Sequence, residues 1–141
     1  QTHPLLLELD DIRGMIVHIG KLEDIPPHLH DMVAYASQFG IQGNVARIPM
    51  EWNVMEHYLR HDIIFYLPYQ YRVINEENAD NYLQFILNHF NSLNTEILVN
   101  FEEQGVPYDG SFCNYSNCSS ATFDHLYILK DKERIGAIWV A

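Results

Sequence analysis

The sequence predicts an α+β fold: one domain over residues 1–141, with a mainly antiparallel sheet of about five to six strands and two principal helices packed on it. Three stretches predict it. Residues 61–67 read His-Asp-Ile-Ile-Phe-Tyr-Leu; as a strand, this run puts Ile63, Phe65 and Leu67 on one face and Ile64 and Tyr66 on the other, which suits a central strand covered on both sides. After Asn75 the apolar period changes. Ala79, Tyr82, Leu83, Ile86, Phe90 and Leu93 fall at i, i+3, i+4, i+7, i+11 and i+14, one stripe of an α-helix. Residues 123–129 and 134–140 are two β-rich runs around Lys130-Asp131-Lys132-Glu133, the pattern of an antiparallel hairpin.

In chain order, residues 1–11 form an arm. Residues 13–20 are β-branched and bounded by glycine, so they read as the first strand. Asp24-Ile25-Pro26-Pro27 opens a helix, because proline in the first turn loses no needed N–H. Leu29, Met32, Val33 and Ala36 form its stripe, and Gly40 stands where a C-terminal cap is expected. Residues 43–49 read as a short second strand. Residues 51–61 form a short helix with Trp52, Met55 and Leu59 on one side and Glu56 paired with Arg60 at i, i+4. The central strand and long helix follow. Asn75 is the expected N-cap, and Glu76 and Glu77 in the first turn complement the helix dipole. Residues 95–102 give another strand, with Ile97, Val99 and Phe101 on one face. Residues 106–122 form a long loop rich in Gly, Ser, Asn and Cys, and loops of that length often carry function. The order matches a split β-α-β-β-α-β arrangement, with both helices on one face of the sheet, extended by the C-terminal hairpin.

Composition narrows the function. The chain carries 19 acidic and 8 basic residues, a net charge of −11. Direct nucleic-acid binding needs a basic footprint that this chain lacks, and an anionic membrane surface would repel it. A basic protein partner is compatible with the charge. No apolar run approaches the roughly 18 residues of a membrane helix. The two cysteines, Cys113 and Cys118, make no disulfide framework, so two thiols in a reducing cytoplasm are expected. Asn114 and Asn117 each begin a glycosylation sequon, which matters only in a secreted eukaryotic protein.

Eight histidines raise the question of metal. His28 and His30 lie ~200° apart on a helix and cannot share an ion. His57 and His61, at i, i+4, share a face as in helical zinc sites. No glutamate base stands between them as in His-Glu-x-x-His, and further ligands would have to come from elsewhere, Cys113 and Cys118 among them. Two solvated surface histidines explain the spacing as well. No cofactor is expected, and the nucleotide motifs Gly-x-x-x-x-Gly-Lys-Ser/Thr and Gly-x-Gly-x-x-Gly are absent; Gly-x-Ser-x-Gly is also missing, so a nucleophile elbow is not supported.

Two functional readings remain. The first is an acidic, non-catalytic protein-binding domain, of which an inhibitor or immunity-type protein neutralising a basic partner is one form. Glu102, Glu103, Asp109 and Asp124, near the long loop, are its candidate acids. Tyr69, Tyr71 and Arg72 are of the residue types enriched at interaction hot spots. They present a face to a partner if their segment runs past the sheet edge, although packing of both tyrosines beneath the long helix is favoured. The second reading is a small cysteine/histidine-dependent hydrolase or ligand-binding domain using the 106–122 loop. Cys113 or Cys118 would be its thiolate, His125, His89 or His18 its base, and an Asn or Asp would orient the base.

Overall fold

A computed structural model describes residues 14–65, 69–108 and 124–141. They form a single α+β domain around a five-stranded antiparallel sheet. The strands are β1 (Met15–Lys21), β2 (Ile48–Pro49), β3 (Glu96–Val99), β4 (His125–Lys130) and β5 (Arg134–Val140), ordered β1-β5-β4-β3-β2. Helix α1 spans Met32–Ser37, α2 Trp52–Ile64 and α3 Glu76–Leu87, with single 3₁₀ turns at Leu22–Asp24, Pro27–Leu29 and Gly43–Val45. The α+β class, the antiparallel sheet and the closing hairpin are as the sequence predicts.

The period-two alternation of the strands builds two cores. Met15, Val17, Ile97, Val99, Tyr127, Leu129, Ile138 and Val140 face α2 and α3. Leu126, Ile128, Ile135 and Ala137 face the opposite way, onto Met32, Tyr35 and Ala36. β4 and β5 are therefore covered on both sides, which explains why they read as almost unbroken apolar runs. The 26–39 segment and the long helix were expected on one face of the sheet. They lie on opposite faces, and the two main helices that share a face are α2 and α3.

Among the described residues, the central strand expected from residue 61 is not there. His61 to Ile64 are the last turn of α2, and β4 occupies the middle of the sheet. The reason is periodicity. Met55, Tyr58, Leu59, Asp62 and Ile63, at i, i+3, i+4, i+7 and i+8, all have zero exposure, so the helical stripe continues through the segment. A short apolar run fits a buried strand and the buried end of a helix equally well. The residues expected as helix from Pro26 break into a 3₁₀ turn and the shorter α1, capped by Asp31, whose carboxylate accepts the Ala34 N–H.

Other local expectations hold. Asn75 caps α3 by accepting the Asn78 N–H at 2.8 Å, and Glu76 and Glu77 sit in its first turn. Arg60, by contrast, bypasses Glu56. Its guanidinium reaches across to α3, 2.7 Å from Asp80 and 3.9 Å from Glu76, a solvated clamp between the two helices. Gly43 lets its turn close on α1: a Cβ there would lie 2.5 Å from the Val33 carbonyl oxygen.

His18, on β1, stacks on Phe39 with ring centroids 3.8 Å apart and planes within 3°. Burial against that ring pushes its pKa below the usual value. A histidine held neutral in the fold contributes stability that is full above its unfolded pKa and is lost as pH falls toward the depressed folded value. Thermal melts of the native chain should therefore lose stability as pH drops below about 6.5. His18→Phe, which keeps the stack, should flatten that part of the profile; an unchanged slope would remove His18 as its source.

Candidate functional site

The last two turns of α2 carry His57 and His61 on one side and Asp62 on the other. Each side organises a different structure at the same end of the sheet.

On the outer side, His57 Nε2 accepts the backbone N–H of Tyr108 at 2.7 Å. His61 Nε2 lies 2.6 Å from Gln70 Oε1, to which it donates. The Tyr108 ring packs 4.5 Å from His61 and stacks at 4.4 Å on Tyr58. Tyr58 in turn donates its hydroxyl to the Gly105 carbonyl and accepts the Gln104 N–H, both at 2.7 Å. Two segments are thereby pinned beside α2: residues 69–72 through Gln70, and residues 101–108 through Tyr108, Gly105 and Gln104. Gln70 holds a left-handed backbone with φ 56°, a conformation that costs a non-glycine residue ~1–3 kcal/mol and concentrates at functional sites. Tyr69 is 79% exposed, Tyr71 56% and Val106 57%. Glu102, Glu103 and Arg72 are exposed as well. The Arg72 guanidinium lies over the Phe65 ring, 5.3 Å from its centre.

On the inner side, Asp62 enters the core with zero exposure. Its Oδ2 accepts from His125 Nδ1 at 2.7 Å and from the Tyr127 hydroxyl at 2.5 Å. The His125 ring stacks on Phe101 with centroids 3.9 Å apart. Beside it, Asn100 joins β3 to β4. Its Oδ1 accepts the Leu126 N–H at 2.8 Å, and its Nδ2 donates to the Asp124 carbonyl at 3.2 Å and to Asp124 Oδ1 at 3.3 Å. Aspartate, histidine and tyrosine thus meet at one buried oxygen, and a base with an oriented Nδ1–H is what general-base chemistry requires.

Glu102 and Glu103 are placed on the surface, and Tyr69 and Tyr71 are exposed rather than packed beneath the long helix. Asp124 does not join them. It has zero exposure and is satisfied by Asn100, so it cannot meet a partner directly; its charge implied the surface because aspartates are rarely buried unless paired. Asp109, Cys113 and Cys118 lie outside the described residues. His57 and His61 do share a helix face, but their Nε2 atoms are committed to Tyr108 and Gln70. Among the described residues no three His, Cys, Asp or Glu side chains gather as a metal site would need. Of the histidines considered as bases, His89 bonds the Phe85 carbonyl at 2.9 Å and His18 stacks on Phe39, while His125 meets a carboxylate. Asp62, Asn100, Gln70 and Tyr108 are not among the residues that the sequence assigns to a site. For Asp62 a signal existed: it is the lone acid inside the stripe Met55, Leu59, Ile63.

Family models, curated protein sequences and solved structures provide no match to this chain.

Removing a buried carboxylate strands the donors that point at it, His125 Nδ1–H and the Tyr127 hydroxyl. Asp62→Ala, which leaves two buried donors unsatisfied, should cost about 2–5 kcal/mol in chemical denaturation, whereas Tyr127→Phe, which deletes one hydroxyl, should cost about 1–2 kcal/mol. Equal and small losses would show that the cluster does not hold the fold.

Proposed function

We propose that this chain is an acidic, non-catalytic protein-binding domain that captures a basic protein through the flank carrying Tyr69, Tyr71, Arg72, Glu102, Glu103 and Val106. One observation carries the reading. Of the five large hydrophobic side chains exposed among the described residues, three, Tyr69, Tyr71 and Val106, fall on the two segments pinned by His57 and His61. Exposed tyrosines beside acids offer both parts of a protein interface, aromatic anchors and a charged rim. The net charge of −11 supports the sign of the partner, since opposite fields speed encounter. An inhibitor or immunity-type protein neutralising a basic toxin or nuclease is the specific form of this reading, with a reducing cytoplasm as its compartment. No helix among the described residues is long and apolar enough to cross a membrane.

The test is affinity capture from the native host, then titration of the captured partner at low and high salt. Tyr69→Ala combined with Tyr71→Ala should cost at least ~2 kcal/mol of binding, about 30-fold. Glu102→Lys with Glu103→Lys should slow association and weaken its salt dependence. Capture that survives the charge reversal at low salt removes the proposal.

The Asp62–His125 hydrogen bond supports a second reading, a cysteine/histidine hydrolase, because it resembles the contact between base and orienter in a catalytic triad. Its nucleophile would be Cys113 or Cys118. It predicts rapid alkylation of one thiol near neutral pH, slowed several-fold by His125→Gln. Slow alkylation of both thiols, indifferent to His125, would leave the binding reading alone.

A further inference from the structure

The sheet's two edges are built differently. β2 is two residues long and includes Pro49; shortness and proline both blunt an edge against pairing. β1 is seven residues long, has no proline and no acid, and carries its single formal charge on Lys21 at its last position. Among the described residues no strand pairs with its outer side.

The ladder with β5 shows which backbone groups face outward. At its two ends the Ala141 N–H donates to the Gly14 carbonyl and the Leu22 N–H to the Glu133 carbonyl, each at 2.8 Å. Bonded pairs alternate along an antiparallel ladder. Ile16, His18 and Gly20 therefore turn their N–H and C=O groups toward β5. Met15, Val17, Ile19 and Lys21 turn theirs away from the sheet.

We propose that this outer edge pairs antiparallel with β1 of a second copy of the chain, about a two-fold axis at His18, with Val17 opposite Ile19 and Met15 opposite Lys21. A symmetric pairing must match outward residues with outward residues, and centring it on His18 is what uses all four. The side chains agree with that register. Val17 and Ile19 form a β-branched cross-strand pair of the favourable kind. Ile16, 39% exposed, faces Gly20 of the other copy, where Ile25 already fills the space above the glycine: a Cβ on Gly20 would sit 2.7 Å from Ile25 Cδ1. Ile16 of each copy thus packs against Ile25 of the other. His18 meets its own symmetry mate, both rings braced by Phe39. A strand from an unrelated protein would need none of this self-complementarity, which is why a second copy is the occupant assigned. Two chains of charge −11 repel at long range, so added salt should favour the pairing.

The experiment measures mass in solution by light scattering over a concentration and salt series, together with site-directed cross-linking. The unsubstituted chain should move from monomer to dimer mass as concentration and salt rise. Ile19→Pro, whose lost N–H faces outward, should stay monomeric while keeping its circular dichroism spectrum. In a Cys113→Ser, Cys118→Ser background, His18→Cys should form a covalent dimer on mild oxidation, since non-bonded antiparallel partners bring Cα atoms to about 4.5 Å, within disulfide reach. Ile16→Cys, which faces residue 20 instead of itself, should not. An unsubstituted chain that remains monomeric throughout, a dimer indifferent to Ile19→Pro, or equal cross-linking at positions 16 and 18 would overturn the proposal. The mass series decides even if the His18 variant fails to fold.

Discussion

Asp62 sits where a charged side chain is most costly. It lies in the middle of a helix face whose other members are Met55, Tyr58, Leu59 and Ile63, all without solvent contact. Taking a carboxylate out of water costs several kcal/mol even after the surroundings relax. That cost is offset only where donors wait at the right place, and the donors come from β4: His125 Nδ1 and the Tyr127 hydroxyl. The two residues are i and i+2 on one strand, so they present their side chains to the same face. An apolar helix could slide or rotate on an apolar sheet at modest cost. A helix bearing Asp62 cannot, because a shift of one residue would leave the carboxylate against hydrocarbon. The Asp62 contacts therefore set the position of α2 on the sheet, and the rest of that layer follows.

The same helix carries the outer architecture. Because α2 is fixed by its inner face, His57 and His61 are fixed on its outer face, and through them Tyr108 and Gln70. The aromatic rings run without a gap between the two sides: His61 touches Tyr108, Tyr108 stacks on Tyr58, Tyr58 on Phe101, and Phe101 on His125. Rigid presentation of exposed tyrosines reduces the entropy lost on binding. The flank is thus a surface with a foundation, which distinguishes Tyr69 and Tyr71 from Leu93, exposed on a turn between α3 and β3.

How much of this the sequence disclosed depends on the kind of signal. Elements whose period could be counted over several turns, such as α3 with its Asn75 cap, or whose strands were bounded by turn residues, such as the closing hairpin, were legible. The end of α2 was not, because Ile63-Ile64-Phe65 satisfies two periods at once and the deciding residues, Tyr58 and Asp62, are polar by name though buried in fact. The candidate site was legible only in its exposed half. Glu102 and Glu103 announce themselves by residue type, whereas tyrosine suits a core and an interface equally, and the sequence favours Tyr69 and Tyr71 beneath the long helix, where they do not lie. The pairing of Asp62 with His125 spans 63 positions, and no local pattern reports a contact formed by tertiary packing. Asp124 fails for the same reason, since its partner Asn100 is 24 residues away.

Charge acts at two ranges here. At long range the net charge of −11 describes a field that favours cationic partners and opposes like-charged copies. At short range individual groups answer to their neighbours. Arg60 is drawn to Asp80 rather than to Glu56, and Asp131, although burial alone would raise its pKa, is held below the usual carboxylate range by the backbone N–H groups of Asn91, Glu133 and Arg134 and by the Arg134 charge. Asp131 thereby ties the turn segment after α3 to the β4–β5 turn, at the end of the sheet remote from the tyrosines. One end is closed by carboxylate-to-backbone bonds among exposed polar groups. The other is closed by buried aromatic rings and two histidine contacts, and it leaves its tyrosines outside. That asymmetry, more than the total charge, is the ground on which the flank beside α2 is proposed as the binding face.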